Sequence, residues 1–207
     1  ISSQIRAETA LQQSEARYRA LVEHIPAIVY MDDINEEQTT HYISPQVEEI
    51  TGYTPQEWAS DPHFWENHIH PQDRERVIKK DAQTNQSGEP FSEEYRFIAR
   101  DGRELWIQEE STLIRDEAGS PLFWQGFMLD ITGKKEAQNA LGEVARAYQG
   151  LFDSVTDAIY IQDQTGRFLD VNLGAVNMYG HPREFFIGKT PEILGAPGKN
   201  DTEATKK

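Results

Sequence analysis

Near the start of the chain, Ala7, Leu11, Ser14, Tyr18, Leu21 and Ile25 follow one another at steps of four and three. A repeat averaging 3.5 residues, apolar at most of its positions, is the seam of a helix that pairs with another helix. The rhythm then changes. Residues 27–31, after a helix-ending Pro26, are rich in β-branched and aromatic side chains and predict a strand. Residues 39–44 predict a second strand, with a polar hairpin connection over 32–38. A short helix is expected over 46–51, closed by Gly52, and another starts at Thr54-Pro55-Gln56-Glu57. Pro71-Gln72-Asp73 opens the longest helix of this region, which Ser87-Gly88 ends. Three strands follow. In residues 91–100 the alternation turns Phe91, Tyr95 and Phe97 toward a core; Asp101-Gly102 marks a tight turn; residues 103–115 form the next strand. After a loop over 116–121, the almost wholly apolar stretch 122–131 is expected at the centre of the sheet. This order predicts an α+β fold: a five-stranded antiparallel sheet with short helices on one face.

The pattern then recurs. Tyr18, Leu21, Ile25 and Tyr30 align with Tyr148, Leu151, Val155 and Tyr160 at an offset of 130, and Gly52 aligns with Gly180 after a two-residue contraction. The second seam, Ala137, Leu141, Val144, Tyr148, Leu151 and Val155, keeps the register of the first. So long a period indicates a tandem domain array rather than a solenoid. The expected organisation is an N-terminal signalling helix or linker over 1–17, a complete unit over 18–132, a linker helix over 133–147, and the N-terminal part of a second unit over 148–207. Because the chain opens on Ile1 and stops in a polar run, both ends read as cut edges and the second unit as truncated. Each seam is short, so it either packs on its own domain or, as favoured, forms a parallel dimer that relays a signal between stacked domains.

Several motifs resemble the PAS family of sensory modules. Tyr42-Ile43-Ser44-Pro45 runs into Ile50-Thr51-Gly52-Tyr53-Thr54-Pro55-Gln56-Glu57-Trp58 as that family's second strand runs into its first helices. His70-Pro71-Gln72-Asp73-Arg74 is similar to its His-Pro-x-Asp opening of the long helix. Glu94-Tyr95-Arg96, Asp101-Gly102, Trp106 and Gly126-Phe127-Met128-Leu129-Asp130-Ile131-Thr132 are similar to its C-terminal three-stranded part. In the second copy, Asp163-Gln164-Thr165-Gly166-Arg167 resembles the first hairpin and Asn172 stands where many family members carry Asn. The resemblance implies a sensory module that detects a small ligand, redox state or other signal. It would pass the signal through helical linkers to an output domain of the same protein, a histidine kinase or a GGDEF/EAL enzyme of a bacterium. The alternative is a ligand-free dimerisation spacer.

The exit Asp130-Ile131-Thr132 is expected to carry that relay, with Thr132 as N-cap of a helix starting at Gly133 and the Asp130 carboxylate near its positive end. Ala137, Leu141, Val144, Tyr148 and Leu151 would form the seam of a parallel homodimer.

Composition narrows the function. The chain has 35 acidic and 20 basic residues, a formal net charge of −15, which disfavours phosphate backbones and anionic lipid; neither nucleic acid nor direct membrane contact is expected. No apolar run approaches the roughly 20 residues a spanning helix needs. Cysteine is absent, which fits a reducing cytoplasm and rules out thiolate sites and the covalent flavin adduct of light-sensing relatives.

Candidate chemistry is sparse. His63, Glu66, His68 and His70 lie close in sequence, but their spacing suits neither a helical histidine pair nor a zinc site. The long helix carries no histidine, which disfavours haem; non-covalent flavin stays open, and no cofactor or metal is expected. Glu93/Glu94 and Glu109/Glu110 are consecutive strand residues pointing to opposite faces, so they cannot share a substrate proton, and they read as solvated surface. No phosphate loop or nucleophile elbow is present, and no catalytic residue is assigned. What remains is a cavity between sheet and helices. By alternation and resemblance its lining would draw on Tyr30, Ile43, Val47, Trp58, Phe64, Trp65, Val77, Tyr95, Phe97, Trp106, Trp124 and Phe127, unless those side chains fill it themselves.

Overall fold

The computed structural model describes residues 22, 24–34 and 39–195; the seam positions Ala7 to Leu21 lie outside them. The chain divides into two compact units, Ile1–Glu136 and Ala137–Lys207.

The first unit runs β1 (Ile28–Asp32), β2 (Thr40–Ile43), α1 (Gln46–Thr51), α2 (Pro55–Ser60), α3 (Phe64–His68), α4 (Pro71–Ser87), β3 (Phe91–Ile98), β4 (Glu104–Arg115) and β5 (Pro121–Asp130). Its five strands lie in the order β2-β1-β5-β4-β3, antiparallel throughout. This is the α+β sheet that the alternation predicts. β5 sits at the centre, between β1 and β4, but only one of its faces is turned to the core: Trp124, Gly126 and Met128 are buried while Phe127 and Leu129 are half-buried on the other side.

The helix ends follow their local chemistry. Gly52 closes α1 at φ 80° and Gly88 closes α4 at φ 71°, left-handed geometry that a side chain would strain. Thr54 and Glu57 form a reciprocal capping box at α2. His70 caps α4, its Nδ1 accepting from the Gln72 amide at 3.2 Å. The core between sheet and helices is built from Ile28, Tyr30, Ile43, Val47, Trp58, Phe64, Ile69, Val77, Phe91, Tyr95, Phe97, Leu105, Ile107 and Met128. Rings dominate it: Trp58 stacks on Phe97 with centroids 5.6 Å apart, and Phe64 lies 5.1 Å from Trp58.

The helix α5 (Thr132–Ser154) leads on to β6 (Tyr160–Gln162), β7 (Phe168–Val171), α6 (Leu173–Tyr179) and α7 (Arg183–Phe186), with a 3₁₀ turn over Pro191–Leu194. Within the second unit β6 and β7 pair as a two-stranded antiparallel sheet, and Phe168, Val171, Ala175 and Phe186 form a small core.

Candidate functional site

The centre of the first unit's sheet is occupied by a carboxylate. On β4 the residues facing the helices are Leu105, Ile107, Glu109 and Ser111, so period-two alternation turns Glu109 inward and Glu110 outward. Glu109 is 4% exposed. From β1 the Tyr30 hydroxyl donates to its Oε1 at 2.5 Å; from β3 the Tyr95 hydroxyl donates to its Oε2 at 2.5 Å. Because β5 lies between β1 and β4, Tyr30 must reach across a whole strand. Gly126, its cross-strand partner, makes that reach available, since a Cβ there would collide with the Tyr30 ring. The Trp65 indole N–H donates to the Tyr95 hydroxyl at 2.7 Å, so the chain of bonds continues from the sheet into α3. The expectation that Glu109 is solvated surface is therefore overturned: the strand pattern that separates it from Glu110 also commits it to the core.

Burial raises the Glu109 carboxyl to about 7, against the opposing pull of the two tyrosine hydrogen bonds. Burial likewise lifts Asp32 to about 7 and Asp81 to about 6. Both tyrosines are pushed well above the ordinary phenol value, first by burial and then by the Glu109 charge.

Beside this carboxylate lies a cavity of about 110 Å³ lined by Tyr30, Asp32, Thr40, Trp58, Asp61, Pro62, His63, Trp65, Glu66, Asp81, Glu109 and Met128. Of the twelve residues expected to line a pocket, Tyr30, Trp58 and Trp65 do so. Ile43, Val47, Phe64, Val77, Tyr95 and Phe97 belong to the surrounding core, where their side chains fill space and do not bound the cavity. Trp124 is buried on the core face of β5 but lies off the cavity. Trp106 and Phe127 fall on the opposite face of the sheet, because each is one residue out of register with its inward neighbours. Phe127 joins Val22, Ile25, Val29 and Leu129 on an open apolar surface there.

Trp106 instead holds the exit of the unit. Its amide donates to the Thr132 hydroxyl at 2.9 Å, and its carbonyl accepts from the Ile131 amide at 2.8 Å. Its ring takes the Lys135 ammonium at 5.0 Å and the Arg96 guanidinium at 5.6 Å. Lys135 is also bonded to Glu94 at 2.5 Å, and Arg96 makes a two-pronged pair with Asp73, in the first turn of α4, at 2.9 and 3.0 Å. That pairing holds the Asp73 carboxyl below its ordinary value. The helix α5 starts at Thr132, one residue earlier than expected, and it is Asp130 that caps it, accepting from the Thr132 amide at 2.8 Å. Thr132 spends its hydroxyl on β4.

The histidines of residues 63–70 diverge. His68 stacks on Phe64 at 4.1 Å, His70 faces Glu104 at 3.4 Å and His63 faces Glu66 at 3.3 Å. Among the described residues no three histidine, aspartate or glutamate side chains converge as a metal-binding set, and no described helix is long and apolar enough to cross a membrane. On α5, Leu141, Val144, Tyr148 and Leu151 are all exposed, Leu141 and Leu151 at 72% and 73%.

Comparison with known proteins agrees with this architecture. A family described as PAS fold matches residues 40–128, and one described as PAS domain matches residues 146–205. An uncharacterised protein, y4lL, of Sinorhizobium fredii is 31% identical over 160 residues, which are 77% of this chain and 19% of that protein. The sensor histidine kinase TmoS of Ectopseudomonas mendocina is 29% identical over 136 residues, 65% of this chain and 14% of its own length. The chain thus spans less than a fifth of these curated relatives. Among solved structures, an RNA-binding light-oxygen-voltage receptor superposes with a TM-score of 0.51 at 21% identity, covering 64% of this chain and 37% of that one, a likeness of fold alone.

Proposed function

Because this chain belongs to the PAS family, in two successive copies, we propose that its first copy is a sensory module whose cavity state is passed through α5 to an output domain of the same protein. One observation carries the reading: a single strand, β4, holds Glu109 against the cavity and, three residues earlier, Trp106 against the start of α5. A change in the charge or hydrogen bonding of Glu109 bears on the strand to which Ile131 and Thr132 are tied. Two relatives' lengths support an output domain beyond these residues, and the kinase name of one supports a histidine kinase, with a GGDEF/EAL enzyme as the other candidate. No residue of the module is assigned a catalytic role, and a cytoplasmic location fits the cysteine-free sequence.

The test belongs in the full-length protein. Thr132→Val combined with Asp130→Ala removes the Trp106 bond and the helix cap, and is expected to abolish regulation of the output while its basal activity survives. Intact regulation would refute the relay.

The exposed seam of α5 favours a second reading, compatible with the first, in which Ala137, Leu141, Val144, Tyr148 and Leu151 pair two copies in parallel. Sizing across a concentration series is expected to show a dimer that Leu141→Asn dissociates; a monomer at every concentration would remove this reading.

A further inference from the structure

The cavity beside Glu109 has an unusual balance of charge. Five of its lining residues are acidic, namely Asp32, Asp61, Glu66, Asp81 and Glu109, and among the described residues no lysine or arginine lines it. Three arginines of the unit have other partners: Arg76 pairs with Glu93, Arg100 with Glu57, and Arg74 with the backbone carbonyls of Asn67 and Ile69. Two of the carboxylates are short of partners as well as of counter-charge. The Asp32 carboxyl has a side-chain hydrogen bond with Thr40, but its Oδ1 is buried with no hydrogen-bond partner. Glu109 is almost wholly buried and lines the cavity, and its two tyrosine bonds use about half of the four acceptor sites an ionised carboxylate offers. A buried acceptor without a donor is costly, and native structures leave few of them. Trp58, Trp65 and Tyr30 line the cavity too, beside Thr40, Pro62, His63 and Met128. Carboxylates and electron-rich aromatic rings are the two kinds of group that attract an organic cation.

We propose that this cavity takes a small organic cation, an alkylammonium or guanidinium head group, held between Asp32, Asp81 and Glu109 and the rings of Trp58 and Trp65. This rests on the sensory reading above and names the ligand class for it. Size agrees: about 110 Å³ corresponds to roughly four water molecules' share of liquid volume, room for a head group of a few heavy atoms. The carboxylates do not converge tightly enough for a metal ion among the described residues, whereas an ammonium or guanidinium can bridge acceptors farther apart.

The electrostatics also fit. Burial keeps Asp32, Asp81 and Glu109 partly protonated near neutrality, so the empty site holds protons that a cation would displace. The groups facing them are Tyr30 and Asp33 from β1 and the turn after it, Tyr95 from β3, and Asp61, His63 and Glu66 from α3 and the turn before it. Among these only His63 can carry positive charge, and it is exposed and paired with Glu66. Binding should therefore release protons and tighten as pH rises.

The experiment titrates the whole chain with ethylammonium and with methylguanidinium, using acetate and ethanol as charge-reversed and neutral counterparts. Binding is read by indole fluorescence, and proton release by calorimetry in buffers of different ionisation enthalpy. The expected result is saturable binding of at least one cation with proton release, weakened at least tenfold by Asp32→Asn and by Glu109→Gln. Should Glu109→Gln fail to fold, Asp81→Asn, on the half-buried α4 wall of the cavity, serves in its place, with folding checked by circular dichroism. Acetate or ethanol binding as well as the cations, no saturation by either cation, or unchanged binding in the variants overturns the proposal. The two readings separate cleanly. If an anionic or neutral ligand binds and regulates the output, the cation assignment falls and the sensor stands; if a cation binds without altering the full-length protein's output, the sensor falls and the cation site stands.

Discussion

Both units tie the corner between a strand and the following helix with one buried polar side chain, but they differ in how much that side chain does. In the first unit Ser44 accepts from the Val29 amide at 3.0 Å, while its own amide donates to the Val29 carbonyl at 2.8 Å. In the second, Asn172 takes the corresponding place: Oδ1 accepts from the Ile159 and Ala175 amides, and Nδ2 donates to the carbonyls of Val155 and Asp157, at 2.8 to 3.0 Å. The backbone has adapted to this tighter knot. A Cβ at Gly174 would run into the Asp157 and Thr156 carbonyls, whereas the first unit carries Gln46 at the equivalent position. The tyrosines diverge too. Tyr30 donates to Glu109, whereas Tyr160 is pushed up to about 12 by burial and by its hydrogen bond with Tyr179. Five strands and a broad core let the first unit place a carboxylate at its centre. In the second, with two strands and a small core, the buried polar side chain among the described residues is Asn172. A two-stranded sheet needs such local fastening because it is marginal alone.

The comparison is sharpest in hydrogen exchange. Amides of β4 and β5 are expected to exchange on the order of a thousandfold more slowly than those of β6 and β7, since sub-global opening spans the range from near zero to full unfolding energy. Equal protection of both sheets would break the contrast. Next, Asn172→Ala should destabilise the second unit by about 3 kcal/mol in chemical denaturation, because buried amides and carbonyls lose their partners together. Ser44→Ala loses one such bond and should cost the first unit about 1 kcal/mol; similar costs for both would show that the two corners do equal work.

The buried carboxylate gives the first unit a pH dependence of a definite sign. Glu109 is about 7 when folded against 4.5 when unfolded, so between those values the folded state holds a proton that the unfolded chain has lost. Stability is therefore greatest below about pH 4.5 as far as this group is concerned, and falls as pH rises to about 7, by roughly 2 to 3 kcal/mol. Asp32 and Asp81 act in the same direction. Glu109→Gln should flatten that decline in urea titrations across the range; an unchanged slope would mean that Glu109 is not the titrating group. The smallest effect on folding concerns the linker: Leu141→Asn should leave both units' stability within about 0.5 kcal/mol, as an exposed position does.

Much of this could be read from the residues in order. Gly52, Gly88, the Thr54–Glu57 box and the His70-Pro71 opening fix their helix ends locally, and the strands 91–98 and 104–115 follow from alternation and the Asp101-Gly102 turn. The lining of the cavity was harder. Trp106 and Phe127 are aromatic and lie within the right strands, yet they face away, because a slip of one residue exchanges the two faces. Alternation and resemblance suggested the pocket; the observed register turns both residues to the other face. Glu109 shows the reverse: its type suggested solvent, its register placed it in the core beside Tyr30 and Tyr95.

The tandem repeat, the five-strand order along the chain and the ends of the helices at Gly52 and Gly88 were legible in the residues, because each depends on neighbours or on spacing along the chain; the helix Phe64–His68 and the start of α5 at Thr132 were not. That Tyr30, Glu109 and Tyr95 meet, and that Trp106 belongs to the exit of the unit, follows from the folded chain alone. These residues lie on strands far apart in sequence, and the strand order β2-β1-β5-β4-β3 brings them together. The energy of a buried charge depends on what surrounds it in space, and spacing along the chain does not state that.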